Sequence, residues 1–208
     1  MTTSLQTPGL LPNKAKVELE SPPPAKTRGG FPIRLLLFLV ILAAVFLVMY
    51  ALAWYNANQL AARFYQDSEA SFAAGDYLNS LVGYQQFDTA SNKYVNYGGF
   101  LSVEKIWSSG YSWPQPSYVQ QAVARSQEVI NQKLTLQQAE QYILNNTGRP
   151  GTPYFAEIYL RLGELYEQNG DIENALSVYQ SFASQFPDRK DLIDLAQQHL
   201  VKLEGQTK

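Results

Sequence analysis

Residues 156–188 read AEIYLRLGELYEQNGDIENALSVYQSFASQFPD, and this stretch decides how the rest of the chain is read. Two helical runs are separated by Gly170-Asp171-Ile172, where Gly ends one helix in a left-handed conformation and Asp caps the next. Gly163 and Ala175 are small enough to let two helices approach closely, and Tyr166 and Tyr179 fill the space around them. A similar break, Gly75-Asp76-Tyr77, stands earlier in the chain, which calls for a search for repeats.

The stretch resembles a tetratricopeptide repeat (TPR), a helical hairpin of about 34 residues with large, small and aromatic residues at fixed positions. Tyr159, Leu162, Gly163, Tyr166, Ala175, Tyr179 and Pro187 fall on those positions, and Phe182 departs where a small residue is usual. A frame from Ala61 puts Phe64, Gly75, Asp76, Tyr77, Ser80 and Tyr84 in matching roles, with Ser68 in place of the packing Gly. A frame from Gln120 puts Val123, Ile130, Thr135, Leu136, Ala139 and Ile143 in register, with Gln127 and Leu134 replacing the two glycines. Thr135-x-x-Gln138 there is a capping box.

Between the first two frames lies an insert, YVNYGGFLSVEKIWSSGYSWPQPSY, residues 94–118. After the third, Leu192, Leu195, Ala196, Leu200 and Leu203 mark an amphipathic helix suited to cover the end of a stack.

At the other end, LLLFLVILAAVFLVMYALAW, Leu35 to Trp54, contains no Gly, Pro or charged group. As a helix it spans ~30 Å, the thickness of a bilayer's hydrocarbon core. Arg34 marks one edge, and Tyr50, Trp54 and Tyr55 the other, where amphipathic rings favour the interface. Ala51-Leu52-Ala53 has the form of a signal-peptide cleavage site, but the leader and the apolar run are both too long for an ordinary signal peptide. The segment is expected to stay as an anchor. Lys14, Lys16, Lys26, Arg28 and Arg34 precede it, which predicts a cytoplasmic N-terminus and an extracytoplasmic body in a single-pass protein of the cytoplasmic membrane.

The expected fold is therefore all-α: one N-terminal transmembrane helix, a short TPR-like helical-hairpin solenoid and a C-terminal capping helix. The expected divisions are a disordered Pro-rich tail (1–31), the transmembrane helix (32–55) and a first hairpin (56–93). The aromatic insert (94–118), a second hairpin (119–153), the TPR itself (154–187), and a capping helix with tail (188–208) follow.

Composition excludes much chemistry. There are no Cys and one His, so disulfides, thiolate sites and multi-imidazole metal sites are absent. His199 reads as part of a solvated helix face beside Gln197, Gln198 and Lys202, and no phosphate-binding glycine loop occurs. Neither an enzyme activity nor a cofactor nor a metal is expected. Charged residues are 16% of the chain, against about 25% in soluble domains, and the apolar span accounts for part of the difference. Beyond the span, 11 Lys+Arg face 16 Asp+Glu, which disfavours nucleic acid.

Recognition of other proteins remains, with no small-molecule substrate expected. The TPR resemblance implies a groove lined by the first helix of each repeat, whose ninth position is Glu69, Glu128 and Glu164. Three carboxylates there would favour a basic or polar partner segment. Trp107, Tyr111 and Trp113 make the insert a second candidate surface, because Trp and Tyr are favoured interface anchors. The resemblance is to single-pass TPR proteins of bacterial envelopes, which serve as scaffolds, adaptors or assembly factors. The alternative is an accessory subunit of a larger membrane complex.

Overall fold

The computed structural model describes residues 33–110, 112–149 and 151–206; the N-terminal tail and Tyr111 lie outside them. The chain is mostly helical. Helix α1 (Ile33–Ala73) is continuous over 41 residues, as the absence of Gly and Pro predicts. The chain divides into two compact units, and the division falls inside α1, after Leu47. In the first unit the described residues, 33–47, are all exposed and none is charged except Arg34. This is the one described helix long and apolar enough to cross a membrane.

The second unit begins at Val48 and carries everything else. After α1 come α2 (Tyr77–Val82), β1 (Tyr84–Asp88), β2 (Lys93–Tyr97), α3 (Phe100–Trp107) and α4 (Ser117–Glu128). The end of α4 widens into a π-helical turn, Val129–Lys133, in which the Leu134 amide donates to the Val129 carbonyl at 3.0 Å. Then follow α5 (Leu136–Asn146), α6 (Phe155–Gln168), α7 (Ile172–Gln185) and α8 (Lys190–Gln206). The close helix pairs are α3 with α4, α5 with α6, α6 with α7, and α7 with α8.

Local signals explain most boundaries. Asp76 and Asp171 cap α2 and α7 by accepting from the amides of Asn79 and Asn174. Gly75 and Gly170, with φ of +80° and +77°, provide the left-handed turns before them. Thr135 and Gln138 form the reciprocal capping box of α5.

Three clusters form the core. Ala61 of α1 packs with Phe100, Val103 and Trp107 of α3 and with Val119 and Ala122 of α4. Leu81, Val129, Ile130, Tyr142, Ile158, Leu162 and Leu165 form the middle cluster. Ala156, Leu160, Ala175, Tyr179, Phe182, Ala196 and Leu203 form the last, with α8 closing it. Gly163 lies against the Tyr179 ring, where an added Cβ would come within 2.6 Å of Cε1. Tyr159 shares a 2.8 Å hydrogen bond with Ser181, and the Tyr166 hydroxyl donates to Glu140 at 2.7 Å. Pro187 follows the end of α7 and is exposed. Phe182, placed where the repeat pattern has a small residue, is fully buried.

The structure departs from the all-helical expectation at residues 84–97. Here the end of the expected first hairpin (56–93) and the start of the insert (94–118) form an antiparallel ribbon with Tyr84 opposite Tyr97. Cross-strand rings hold it: Tyr84 stacks on Tyr97 at 4.7 Å, and Phe87 meets Tyr94 edge-on at 5.1 Å. Its turn is set by Asp88, which accepts from the Ala90 amide and the Ser91 hydroxyl. The ribbon's base is a backbone crossing. Cβ atoms on Gly83 or Gly99 would lie 2.8 Å or less from each other's backbone, and one on Gly98 would strike the Phe64 ring. The insert also contains α3, whose Phe100, Val103 and Trp107 recur at helical spacing and face the core.

Replacing Gly163 with Leu drives methyl groups into Tyr179 and Val178, and overpacking of this kind costs about 1–3 kcal/mol. Urea unfolding of the detergent-solubilised chain, followed by circular dichroism, should show a lower midpoint with an unchanged slope.

Candidate interaction surface

An open groove of about 790 Å³ lies between α2, α3, α5 and the connection before α6. Leu78, Val82 and Leu101 form its apolar part, and Ser102, Lys105, Asn145, Asn146 and Arg149 supply polar groups. Tyr142 is 3% exposed and donates its hydroxyl to the Pro153 carbonyl at 2.6 Å, which ties α5 to the connection. Burial, with a contribution from the Glu157 carboxylate, pushes that phenol up to about 12. Glu104 also lines the groove, but both its oxygens are engaged. Ser126 donates to one at 2.5 Å and Tyr154 to the other at 2.9 Å. Burial and the bond to Glu104 raise the Tyr154 phenol to about 12, so it stays a donor. Lys105 and Arg149 differ from these: among the described residues neither is paired with a carboxylate.

The three glutamates expected to line a groove each have a cation inside the chain. Arg125 bridges two of them, with Nε 3.0 Å from Glu69 and Nη1 2.7 Å from Glu128. Its guanidinium also lies 4.5 Å from the centre of the Phe72 ring. The bonds to Glu128 and Glu69 raise its already high pKa. Glu128 has Lys133 as a more distant partner at 3.9 Å. Glu164 is held by Arg161 at 2.6 Å, with His199 at 4.0 Å. Glu69 and Glu128 are thus brought together through Arg125, while the partners of Glu164 come from its own helix and α8. Only for Glu69 does the matching arginine lie on another helix; Arg125–Glu128 and Arg161–Glu164 are (i, i+3) pairs whose spacing is present in the sequence.

The aromatic insert divides in two. Trp107 is a core residue, 2% exposed, and meets Trp54 of α1 edge-on at 5.9 Å. Its ring is not offered to a partner. Trp113 is 76% exposed, while its main chain is held by α1. The Tyr50 hydroxyl donates to the Trp113 carbonyl at 2.5 Å, and the Trp54 indole donates to the Pro114 carbonyl at 2.9 Å.

His199 also departs from the expected solvated face. It stacks on Tyr179 at 5.0 Å, and its Nδ1 lies 2.8 Å from Glu167. Lys202 donates to the other Glu167 oxygen at 2.6 Å, and Tyr179 reaches the same carboxylate at 3.3 Å. One glutamate of α6 therefore gathers α7 and α8. Burial pushes Glu167 up, but the bonds from Lys202 and His199 outweigh it and hold the carboxyl below its ordinary range. The arrangement is a clasp. Among the described residues no group of three His, Asp or Glu side chains could hold a metal ion.

No protein-family model, curated protein or solved structure matches the chain.

The clasp carries a pH dependence of determined sign. A carboxyl with a lowered folded pKa stabilises fully above its unfolded value of about 4.3, and that contribution is lost as pH falls through the folded value. The protection of α8 amides, taken relative to their intrinsic hydrogen exchange at the same pH, should therefore fall in acid below about pH 4. In Glu167→Gln this protection should be lower at neutral pH and should change much less with acid.

Proposed function

We propose that the chain is a single-pass, membrane-anchored scaffold or adaptor that binds other proteins outside the cytoplasmic membrane. One observation carries the reading. Helix α1 carries an exposed apolar stretch long enough to cross a membrane and runs on into a packed helical body with an open groove, at which Lys105 and Arg149 are paired with no carboxylate among the described residues. The TPR-like character of the body is part of the proposal. It is supported by the α6–α7 hairpin, in which Gly163 lies against Tyr179 and Ala175 is buried in the same cluster as that ring, in keeping with the repeat pattern. The excess of basic residues before the span supports a cytoplasmic N-terminus.

Binding rather than catalysis is favoured because the most elaborate polar cluster, around Glu167, joins helices to one another. The groove suits a short protein segment: apolar groups for its side chains, Asn145 and Asn146 for its main chain, and Lys105 and Arg149 for a carboxylate. Glu69, Glu128 and Glu164 would have to give up internal partners to serve a basic segment, so the groove is preferred over the glutamates as the partner site.

The absence of native Cys permits a direct test of orientation. In intact cells a membrane-impermeant maleimide should label Ser184→Cys, and Ser4→Cys only after lysis. The reverse pattern would place the body in the cytoplasm. For the partner, a photo-crosslinking amino acid at Ser108 should yield discrete protein adducts that disappear in Lys105→Glu/Arg149→Glu. Adducts that persist unchanged would remove the groove from the proposal. A fixed complex that survives purification would indicate a constitutive subunit rather than an adaptor.

A further inference from the structure

Trp113 and Pro114, just before α4, are held to the end of the apolar run by their main chain. Tyr50 lies four residues before Trp54, the last residue of that run. Its hydroxyl both donates to the Trp113 carbonyl and accepts from the Trp113 amide, at 2.5 and 3.3 Å. Trp54 binds the next carbonyl, that of Pro114. Further along, the Tyr118 hydroxyl donates to Asn58 at 2.8 Å. The height of this segment along α1 is thus fixed by hydrogen bonds on both sides of Trp54.

Charge is distributed in the same way. No Asp, Glu, Lys, Arg or His occurs between Leu35 and Ala62 on α1, and none between Ile106 and Ala124 on the facing segment. The first charges are Arg63, Lys105 and Arg125. From Tyr50 to Arg63 a helix rises ~20 Å. The uncharged zone therefore extends well past the apolar run, and it is populated by Trp, Tyr, Ser, Asn, Gln and Pro. Such a composition suits the headgroup layer, where ionic groups are not needed and amphipathic rings are favoured. Within it, Trp113 exposes 76% of its surface although its backbone is fixed.

We infer that residues 112–116, just before α4, are a second membrane contact, with the Trp113 ring seated in the interface of the bilayer that α1 crosses. The occupant of this surface is lipid. The inference rests on the membrane-anchored reading, since α1 sets the depth. A Trp ring is suited to the role because its body is apolar while its N–H can bond to headgroups or water. Two contacts, a helix and a ring beside it, restrict the tilt of the second unit against the bilayer plane more than a single helix does.

Nitroxide labels on single cysteines in the full chain, reconstituted in phosphatidylcholine vesicles, provide the test. Labels at Ser112→Cys, Val45→Cys and Ala90→Cys are compared for collision with oxygen, which partitions into lipid, and with a water-soluble nickel chelate. The Ser112 label should show a severalfold higher oxygen-to-nickel ratio than the Ala90 label on the ribbon turn, and a lower one than the Val45 label. Trp113→Ala should move the Ser112 label towards the aqueous value. If Val45 is lipid-buried while Ser112 matches Ala90, the inference fails and the surface is left for a protein partner. A Val45 label open to nickel would overturn the anchor reading, and the inference with it. If Trp113→Ala leaves the Ser112 ratio unchanged, the ring is not the anchoring group.

Discussion

Ala61 and Ser68, two turns apart on α1, have no exposed surface, and the second unit is built against the stripe they form. Small side chains there let α3 and the ribbon base come close. The Ser68 hydroxyl donates to the Phe64 carbonyl and lies 3.2 Å from the Gly98 carbonyl, while Asp67 accepts from the Gly98 amide. A polar group buried this deeply needs such partners, because an unsatisfied one costs about 1–3 kcal/mol. The same helix that reads as an anchor is thus the first wall of the core. Phe100, Val103 and Trp107 cover the wall, and the later clusters follow from α4 onward.

The relative weight of the forces is clear from their sizes. Burying one side chain such as Phe100 or Ile158 stabilises by about 1.5–3 kcal/mol. A partly exposed pair such as Arg125–Glu128 contributes about 0.2–1 kcal/mol. The clusters around α1, α5 and α7 therefore hold the fold, and the ion pairs set which helix faces meet. Arg125 shows the division: its guanidinium lies over Phe72, and its nitrogens choose Glu69 and Glu128.

What was legible in the sequence was local. The Gly-Asp breaks before α2 and α7, the Thr135 capping box, the continuity of α1 and the amphipathic α8 all depend on residues within a few positions of one another. The ribbon was not legible, because its register depends on rings paired across a turn and on glycines that meet only once α1 is in place. Helix α3 was hidden by its Gly- and Ser-rich surroundings, although Phe100, Val103 and Trp107 carried the spacing. Of the candidate binding residues, Trp113 is exposed and Trp107 buried, and only the fold distinguishes two tryptophans six positions apart. The glutamates posed the same difficulty: a carboxylate's availability depends on cations such as Arg125 that arrive from elsewhere in the chain.

Charge then decides how a partner could reach the groove. The body is acidic, so beyond a Debye length of about 8 Å at physiological salt it offers a segment bearing carboxylates no attraction. Lys105 and Arg149 act only at short range, and the groove is open rather than enclosing. Such a site captures weakly from bulk solution. Confinement to one membrane changes the arithmetic, since tethering raises the effective concentration of a neighbouring partner to the order of mM without any new contact. A shallow groove is then sufficient, provided the body is held at a fixed orientation to the membrane. Under the membrane-anchored reading, this links the uncharged zone around Trp113 to the cations of the groove: the first limits how the body tilts, and the second need supply only modest affinity.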